Sequence, residues 1–310
     1  MDKRNARLAF IKKAIIFMLL IFALDNGLGR LLRYLYFHQS SGFLYRRTWA
    51  IESTTAPVIV FGDSRAAHSY APQPFEEAFG GEFYNAGCDG TGIDYQEAVL
   101  TAVLKRYRPR ILFLELRPLD FEQDPYWKTR LTMLLPYLKR HPEIGPVLKR
   151  RGLFENIKRL SQIYPFNSNI LSIIMGNLEI NKKRREDFKG FIPLEGVWDR
   201  PLRAETPPRE NLRAEAVTSF RNFMGLAISR GITPVIIVSP IYQKWARPPQ
   251  TLSMAAAICR EFDVPFLDFS QDGKYLKREY FYDETHLNEA GAIVFSTEVA
   301  ARISGRNEDP

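Results

Sequence analysis

Val58-Ile59-Val60-Phe61-Gly62-Asp63-Ser64-Arg65 decides how this chain is read. Four apolar residues followed by glycine read as a buried strand, and the serine two residues beyond Gly62 then stands at a strand-to-helix turn. Working outward, Glu82–Ala86, Ile111–Leu116, Thr233–Ser239 and Val264–Phe269 read as four more short strands. Helical patterns lie between and after them at Tyr95–Tyr107, Asn211–Arg230, Leu252–Phe262 and Asn288–Ile303. Strands separated by helices imply a parallel sheet with right-handed crossovers.

Residues from about 121 to 206 break this rhythm. They carry Pro125, Pro136, Pro142, Pro146, Pro165 and Pro193 with amphipathic pieces between them. An insertion after the third strand lies at the carboxyl ends of the strands, where open α/β sheets place their sites. It is expected to be a mostly helical cap or substrate platform; a packing elaboration with no contact to substrate would read the same.

The 310 residues suffice for one large domain, and 45% hydrophobic with 25% charged residues is an ordinary globular composition. The net charge of +8 is uneven. Residues 1–50 hold nine Lys/Arg against two carboxylates, and residues 127–215 hold eighteen against ten. A basic run of this kind is an ordinary solvated face or a surface for an anionic partner. No basic helix with interleaved aromatics supports a nucleic-acid partner. Cys88 and Cys259 are too few for a disulfide framework, lack metal-ligand spacing, and read as buried thiols.

At the N-terminus, residues 14–24 are an uninterrupted apolar run preceded by Lys3, Arg4, Arg7, Lys12 and Lys13. Asp25-Asn26-Gly27 limits the run on its far side. An uncleaved signal anchor over residues 1–36 is the first reading, with positive charge kept in the cytoplasm. That reading makes the N-terminal segment a membrane helix of the inner membrane and places a domain of residues 48–310 in the periplasm. A cleaved signal peptide and an amphipathic surface helix extended by Leu28, Leu31, Leu32, Leu35 and Tyr36 are the alternatives.

Two motifs carry chemistry. Ser64 sits where outward-pointing amides can hold an oxyanion, although Gly-Asp-Ser is also a common turn in which serine only caps a helix. Asp283-Glu284-Thr285-His286 places a carboxylate three residues before an imidazole, so one turn of backbone can set them side by side. The carboxylate then fixes the tautomer and the imidazole moves the proton; a polar turn capping the following helix is the plainer alternative. His68 is the other plausible base, but at i+4 from Ser64 it would lie along the helix below the serine. Between the motifs, Asn85-Ala86-Gly87-Cys88-Asp89-Gly90-Thr91-Gly92 is a tight connection or a loop that approaches a ligand closely.

Gly62-Asp63-Ser64, Asn85-x-Gly87-x-x-Gly90 and Asp283-x-x-His286, in that order after the expected strands, resemble the SGNH/GDSL hydrolases. The whole layout is similar to membrane-anchored SGNH proteins of Bacteroidetes. The resemblance covers residues from about 57 to 303, apart from the insertion. It implies a three-layer α/β/α sandwich of flavodoxin-like type with a five-stranded parallel sheet. It makes Ser64 the nucleophile, His286 the base, Asp283 its orienting acid, and the amides of Ser64 and Gly90 the oxyanion hole. One block departs. Leu119, in Glu115-Leu116-Arg117-Pro118-Leu119-Asp120, stands where the family has an asparagine that donates to the oxyanion. Arg117 is the nearest substitute donor or substrate contact, and an ion pair with a carboxylate suits it equally.

The expected function is therefore a membrane-anchored serine esterase or O-acyltransferase acting on an acylated glycan or a lipid ester, with no cofactor and no metal. The rival reading, motivated by Leu119, is a catalytically weak glycan-binding or assembly component of an envelope polysaccharide system. A nucleotide- or flavin-binding protein would leave the pairing of Ser64 with Asp283 and His286 accidental.

Overall fold

Alternate residues of the apolar runs go to opposite faces of one sheet, and both faces are covered. Ile59 and Phe61 of β1 (Val58–Phe61) join one core with Leu112, Leu114, Ile236 and Val238, whereas Val58 and Val60 join another with Phe83, Phe113, Val235 and Ile237. A strand buried on both faces must be apolar throughout rather than alternating, which is why these runs are unbroken in the sequence. The computed structural model describes residues 3–180, 189–206 and 211–305.

Before β1 come α1 (Lys3–Phe37) and α2 (Gly42–Thr48). After it follow α3 (Ser64–Ser69), α4 (Pro72–Phe79), β2 (Phe83–Asn85), α5 (Ile93–Arg106) and β3 (Ile111–Glu115). The inserted region carries α6 (Trp127–Arg130), α7 (Gly145–Lys149), α8 (Glu155–Lys158), α9 (Ile170–Asn177) and β4 (Arg203–Glu205). The chain returns through α10 (Ala214–Ser229), β5 (Pro234–Val238), β6 (Gln243–Trp245), α11 (Gln250–Glu261), β7 (Phe266–Asp268) and α12 (Glu289–Ser304).

The main sheet has the order β2-β1-β3-β5-β7, with every pairing parallel. The chain thus winds one way from β1 to β2 and the other way from β3 onward. In such a doubly wound sheet the helices on either side of the reversal part at the carboxyl ends of the strands and leave a crevice there. Helices α5, α10 and α11 cover one face and α4 and α12 the other, giving three layers. The expected five strands and four long helices are all present, to within a few residues at their ends.

The inserted region is helical in short pieces, as expected, and its β4 pairs in parallel with β6, from the loop after β5, in a two-stranded sheet that the sequence reading lacks. Part of its basic run, residues 181–188 and 207–210, lies outside the described residues. Its returning arm runs past the ends of the first two strands. There Asn85 N donates to Lys189 O at 2.8 Å, Ile192 N to Ala67 O at 2.9 Å, and Trp198 N to Phe281 O at 2.7 Å.

Two expectations change at the N-terminus. Asp25-Asn26-Gly27 does not end α1, which continues to Phe37. Asp25 is held on the helix because it accepts hydrogen bonds from Ser161 Oγ (2.5 Å), Gln162 N (2.8 Å) and Ile163 N (3.3 Å). Gly29 permits that approach, since a Cβ there would lie 2.3 Å from Gln162 Cβ. The membrane helix is the second correction. Among the described residues no helix is long and apolar enough to cross a membrane, the apolar run being bounded by Lys12-Lys13 and Asp25. Gly42–Thr48 form α2 and add Leu44 to the same core as Tyr36 of α1.

Phe75 of α4 is fully buried, with its ring stacked on Phe83 at 4.6 Å between centroids. Phe75→Ala leaves a cavity between α4 and the sheet and is expected to cost about 3–5 kcal/mol, read as a lower midpoint in urea unfolding with an unchanged slope.

Candidate active site

The site begins with a glycine that no other residue can replace. Gly62 ends β1 at φ +152, and a Cβ there would lie 2.7 Å from Ala66 Cβ and 2.8 Å from Glu115 Cβ. The chain therefore turns tightly against the end of β3. Asp63 caps the following helix by accepting from Arg65 N at 2.9 Å. Ser64 becomes the first residue of α3, at the carboxyl end of β1 where the sheet reverses its winding. The first amides of a helix have no partner within it and carry the positive end of its dipole.

Under this turn lies a buried polar knot. Arg65 Nε donates to Glu115 Oε1 at 3.0 Å, and its guanidinium also donates to the backbone oxygen and the hydroxyl of Ser239. Glu115 further accepts from the Tyr70 hydroxyl, the Ser239 hydroxyl (2.7 Å) and Ser239 N (3.1 Å). Burial raises the Glu115 pKa, and the bonds from Arg65, Tyr70 and Ser239 oppose that rise. The knot ties the ends of β3 and β5 to the residue after Ser64.

The second half comes from the loop before α12. Asp283 accepts from Thr285 N (2.8 Å) and His286 N (2.9 Å), closing a tight turn. In the same turn His286 Nδ1 lies 2.9 Å from Asp283 Oδ2 and 3.0 Å from Oδ1. Burial pushes the Asp283 carboxyl up, but the bonds from His286 and Thr285 outweigh it and bring its pKa to about 2. The carboxylate is therefore charged at neutral pH and holds the Nδ1 proton, leaving Nε2 as an acceptor. Nε2 lies 2.8 Å from Ser64 Oγ, within hydrogen-bond reach of its proton. Ser64, more than two hundred positions earlier in the sequence, stands in one hydrogen-bonded line with His286 and Asp283.

His68 does not face the serine as a base. Its Nδ1 donates to Ile192 O at 2.7 Å, and its ring meets that of His286 edge to face at 5.5 Å. Burial first, and the neighbouring His286 after it, lower its pKa. His68 is thus an uncharged wall behind His286, held by the returning arm of the insertion. Sequence reasoning missed this role, because the carbonyl that fixes it lies 124 residues away.

Ser64 and His286 open onto a cavity of about 640 Å³. Leu119 lines it, together with Arg117, Tyr126 and Arg130 from the region after β3 and Gln243 and Trp245 of β6. The start of the insertion is thus part of the cavity wall, and Tyr126, Arg130 and Trp245 are lining residues that no sequence pattern indicated. Gly90, at φ +70, lies outside this lining. The loop that carries it is fixed by Asn85, whose side chain donates to Ala66 O (2.8 Å) and accepts from Gly87 N (2.9 Å). Arg117 sits among carboxylates: its Nε is 3.9 Å from Asp63 and its NH2 3.6 Å from Asp120. Burial works against its charge, but Asp120 and Asp63 outweigh that and raise its pKa. Cys88 and Cys259 are buried free thiols, and among the described residues no group of three or more His, Cys, Asp or Glu could hold a metal ion.

No family model matches the chain, and no curated protein sequence matches it. Among solved structures, it is similar to the crystal structure of a two-domain esterase (CEX) active on acetylated mannans, with 12% identity and a TM-score of 0.39 over 82% of this chain and 49% of that one. The chain spans about half the length of that esterase. A likeness this slight carries no argument about fold or chemistry, which rest on the geometry above.

Two outcomes follow from the charges under the site. Arg65→Met leaves Glu115 buried without its cation and is expected to cost about 3–5 kcal/mol, measured by urea unfolding. Asp120 has its pKa raised to about 7, chiefly by burial, whereas an unfolded aspartate titrates near 3.9. The folded state therefore binds the extra proton between those values, and stability falls as pH rises from about 4 to about 7. Asp120→Asn is expected to remove that slope, so wild type loses stability relative to the variant across this window.

Proposed function

We propose that this protein is a serine hydrolase or acyltransferase of SGNH type, acting on an O-acyl ester. The observation that carries the reading is the 2.8 Å approach of His286 Nε2 to Ser64 Oγ, with Asp283 behind the ring. In the mechanism, Ser64 Oγ attacks the ester carbonyl carbon while Nε2 takes the hydroxyl proton. The C=O electron pair moves onto oxygen, giving a tetrahedral oxyanion, and Asp283 stabilises the imidazolium. Collapse expels the alcohol, which takes the proton from Nε2, and leaves the acyl group on Ser64. Water or a second hydroxyl then attacks the acyl-serine carbonyl while Nε2 takes its proton, and collapse of that intermediate returns the proton to Ser64 Oγ and releases the acid or the new ester. Both outcomes use the same three side chains.

The backbone amide of Ser64, at the start of α3, is our first oxyanion donor, with Gly90 as the second on the family resemblance. Leu119, which lines the cavity, has a side chain with no donor to offer, and Arg117, lining the same cavity, is a cation that could replace one. Losing a donor costs about 10²–10³ in rate. That favours slow chemistry and keeps a second reading in play, a glycan-binding protein with little turnover.

An acylated glycan suits the cavity better than a long lipid ester. Trp245 and Tyr126 offer aromatic faces against which the C–H face of a sugar ring can pack. Gln243 and Arg130 offer hydrogen bonds for its hydroxyls. An extracytoplasmic location, where acylated glycans occur, remains part of this proposal.

The test is labelling of the full chain by a fluorophosphonate, beside Ser64→Ala and His286→Ala. Labelling is expected in wild type, absent in Ser64→Ala, and slowed by about 10⁴-fold or more in His286→Ala. A folded wild-type protein that does not label would reject the hydrolase and favour the binding reading.

A further inference from the structure

Around the point where α1 meets the insertion, large apolar side chains stand in solvent. Leu153 and Leu160, flanking α8, are 92% and 77% exposed, and Phe154 and Ile157 between them are exposed as well. Leu171 and Leu178, in and just after α9, are exposed as well. Two contacts join these segments to α1: Asp25 binds residues 161–163, and α1 packs on α9, where the Asn177 side chain donates to Leu35 O at 2.9 Å. Ile16, Phe17 and Leu20 of α1 are exposed as well. Large apolar side chains exposed in such number on joined segments mark an interaction site rather than ordinary surface scatter.

Cations ring the same junction. Arg30 and Arg33 lie on α1, Lys139 donates to Gln162 Oε1, and Arg140 stacks 3.9 Å over the ring of Phe37. Burial and then Arg140 lower the Arg33 pKa; burial and then Arg33 and Arg30 lower that of Lys139. These groups therefore crowd one another. Among the nearby carboxylates, Glu52 lies 3.6 Å from Arg140, and Asp25 is occupied by residues 161–163.

We propose that this face of the insertion is a docking surface for an anionic lipid bilayer, with Leu153, Phe154, Ile157 and Leu160 entering the acyl boundary beside α1 and Arg30, Arg33 and Lys139 meeting the headgroup phosphates. Charge selects lipid over a second copy of the chain. Self-association through this patch would set two identical cation clusters against each other, whereas phosphates satisfy both. Shallow insertion also agrees with an apolar run of 11 residues, about half of what a span requires. The proposal does not depend on the chemistry at Ser64.

The test uses the full chain with Leu160→Cys carrying an environment-sensitive NBD dye; Cys88 and Cys259 are buried and escape the label. Ser229→Cys, on an exposed position outside the patch, is the control, and Leu153→Cys replaces Leu160→Cys should that variant misfold. With phosphatidylcholine vesicles containing phosphatidylglycerol, the dye at 160 is expected to brighten severalfold, shift to the blue and be quenched by doxyl lipids, while the dye at 229 stays unchanged. Arg30→Gln and Lys139→Gln are each expected to weaken binding to these vesicles about fivefold, with no change on phosphatidylcholine alone. Three results would overturn the proposal: no vesicle association, a dye that stays in water on vesicle-bound protein, or a blue shift that appears without lipid and grows with protein concentration, the mark of a second copy.

Discussion

The buried contact between Arg65 and Glu115 is the constraint on which the rest of the site depends. A charged pair out of water persists only when every donor and acceptor around it is used. Here Tyr70 and Ser239 complete the set. These partners come from the ends of β3 and β5 and from the end of α3. Satisfying one carboxylate therefore fixes three segments together. The residue so fixed is the neighbour of Ser64, and this holds the serine at the mouth of the crevice. Gly62 makes the arrangement possible by letting the chain pass directly over Glu115.

The sheet order supplies the remaining geometry. Because winding reverses between β1 and β3, the loops after β1 and β3 diverge and leave room for a cavity between them. Ser64, Arg117 and Leu119 all line it. The loop carrying Asp283 and His286 reaches the same opening from the end of the chain. The returning arm of the insertion places Ile192 O behind His68, so that an uncharged imidazole backs the one that meets the serine. Asp63, Arg117 and Asp120 form a mixed-charge rim in which the cation is stabilised and one carboxyl, Asp120, is driven toward its neutral form.

The N-terminal helix is integrated with the insertion rather than appended to it. Asp25, a residue that would ordinarily end an apolar helix, instead receives two backbone amides and a hydroxyl from residues 161–163. Gly29 and Gly176 lie where a Cβ would collide with Gln162 and Gln39. The insertion thus has two faces, one lining the cavity through Tyr126 and Arg130 and one exposing apolar and cationic side chains beside α1.

The five strands, their parallel pairing and the four long helices were legible in the sequence, because a strand buried on both faces must be apolar throughout and a helix over it must repeat its apolar positions. Ser64, Asp283 and His286 were legible as candidates, since Gly-Asp-Ser after a strand and Asp-x-x-His before a helix are local patterns. Only the tertiary structure decided what those residues meet. The knot of Arg65, Glu115 and Ser239, the wall made by His68 and Ile192, and the aromatic lining from Tyr126 and Trp245 all join positions far apart in the chain, and no periodicity records such pairings. The continuation of α1 through Asp25 is of the same kind. Local propensity marks a stop there, and hydrogen bonds from a segment more than a hundred residues away remove the reason to stop.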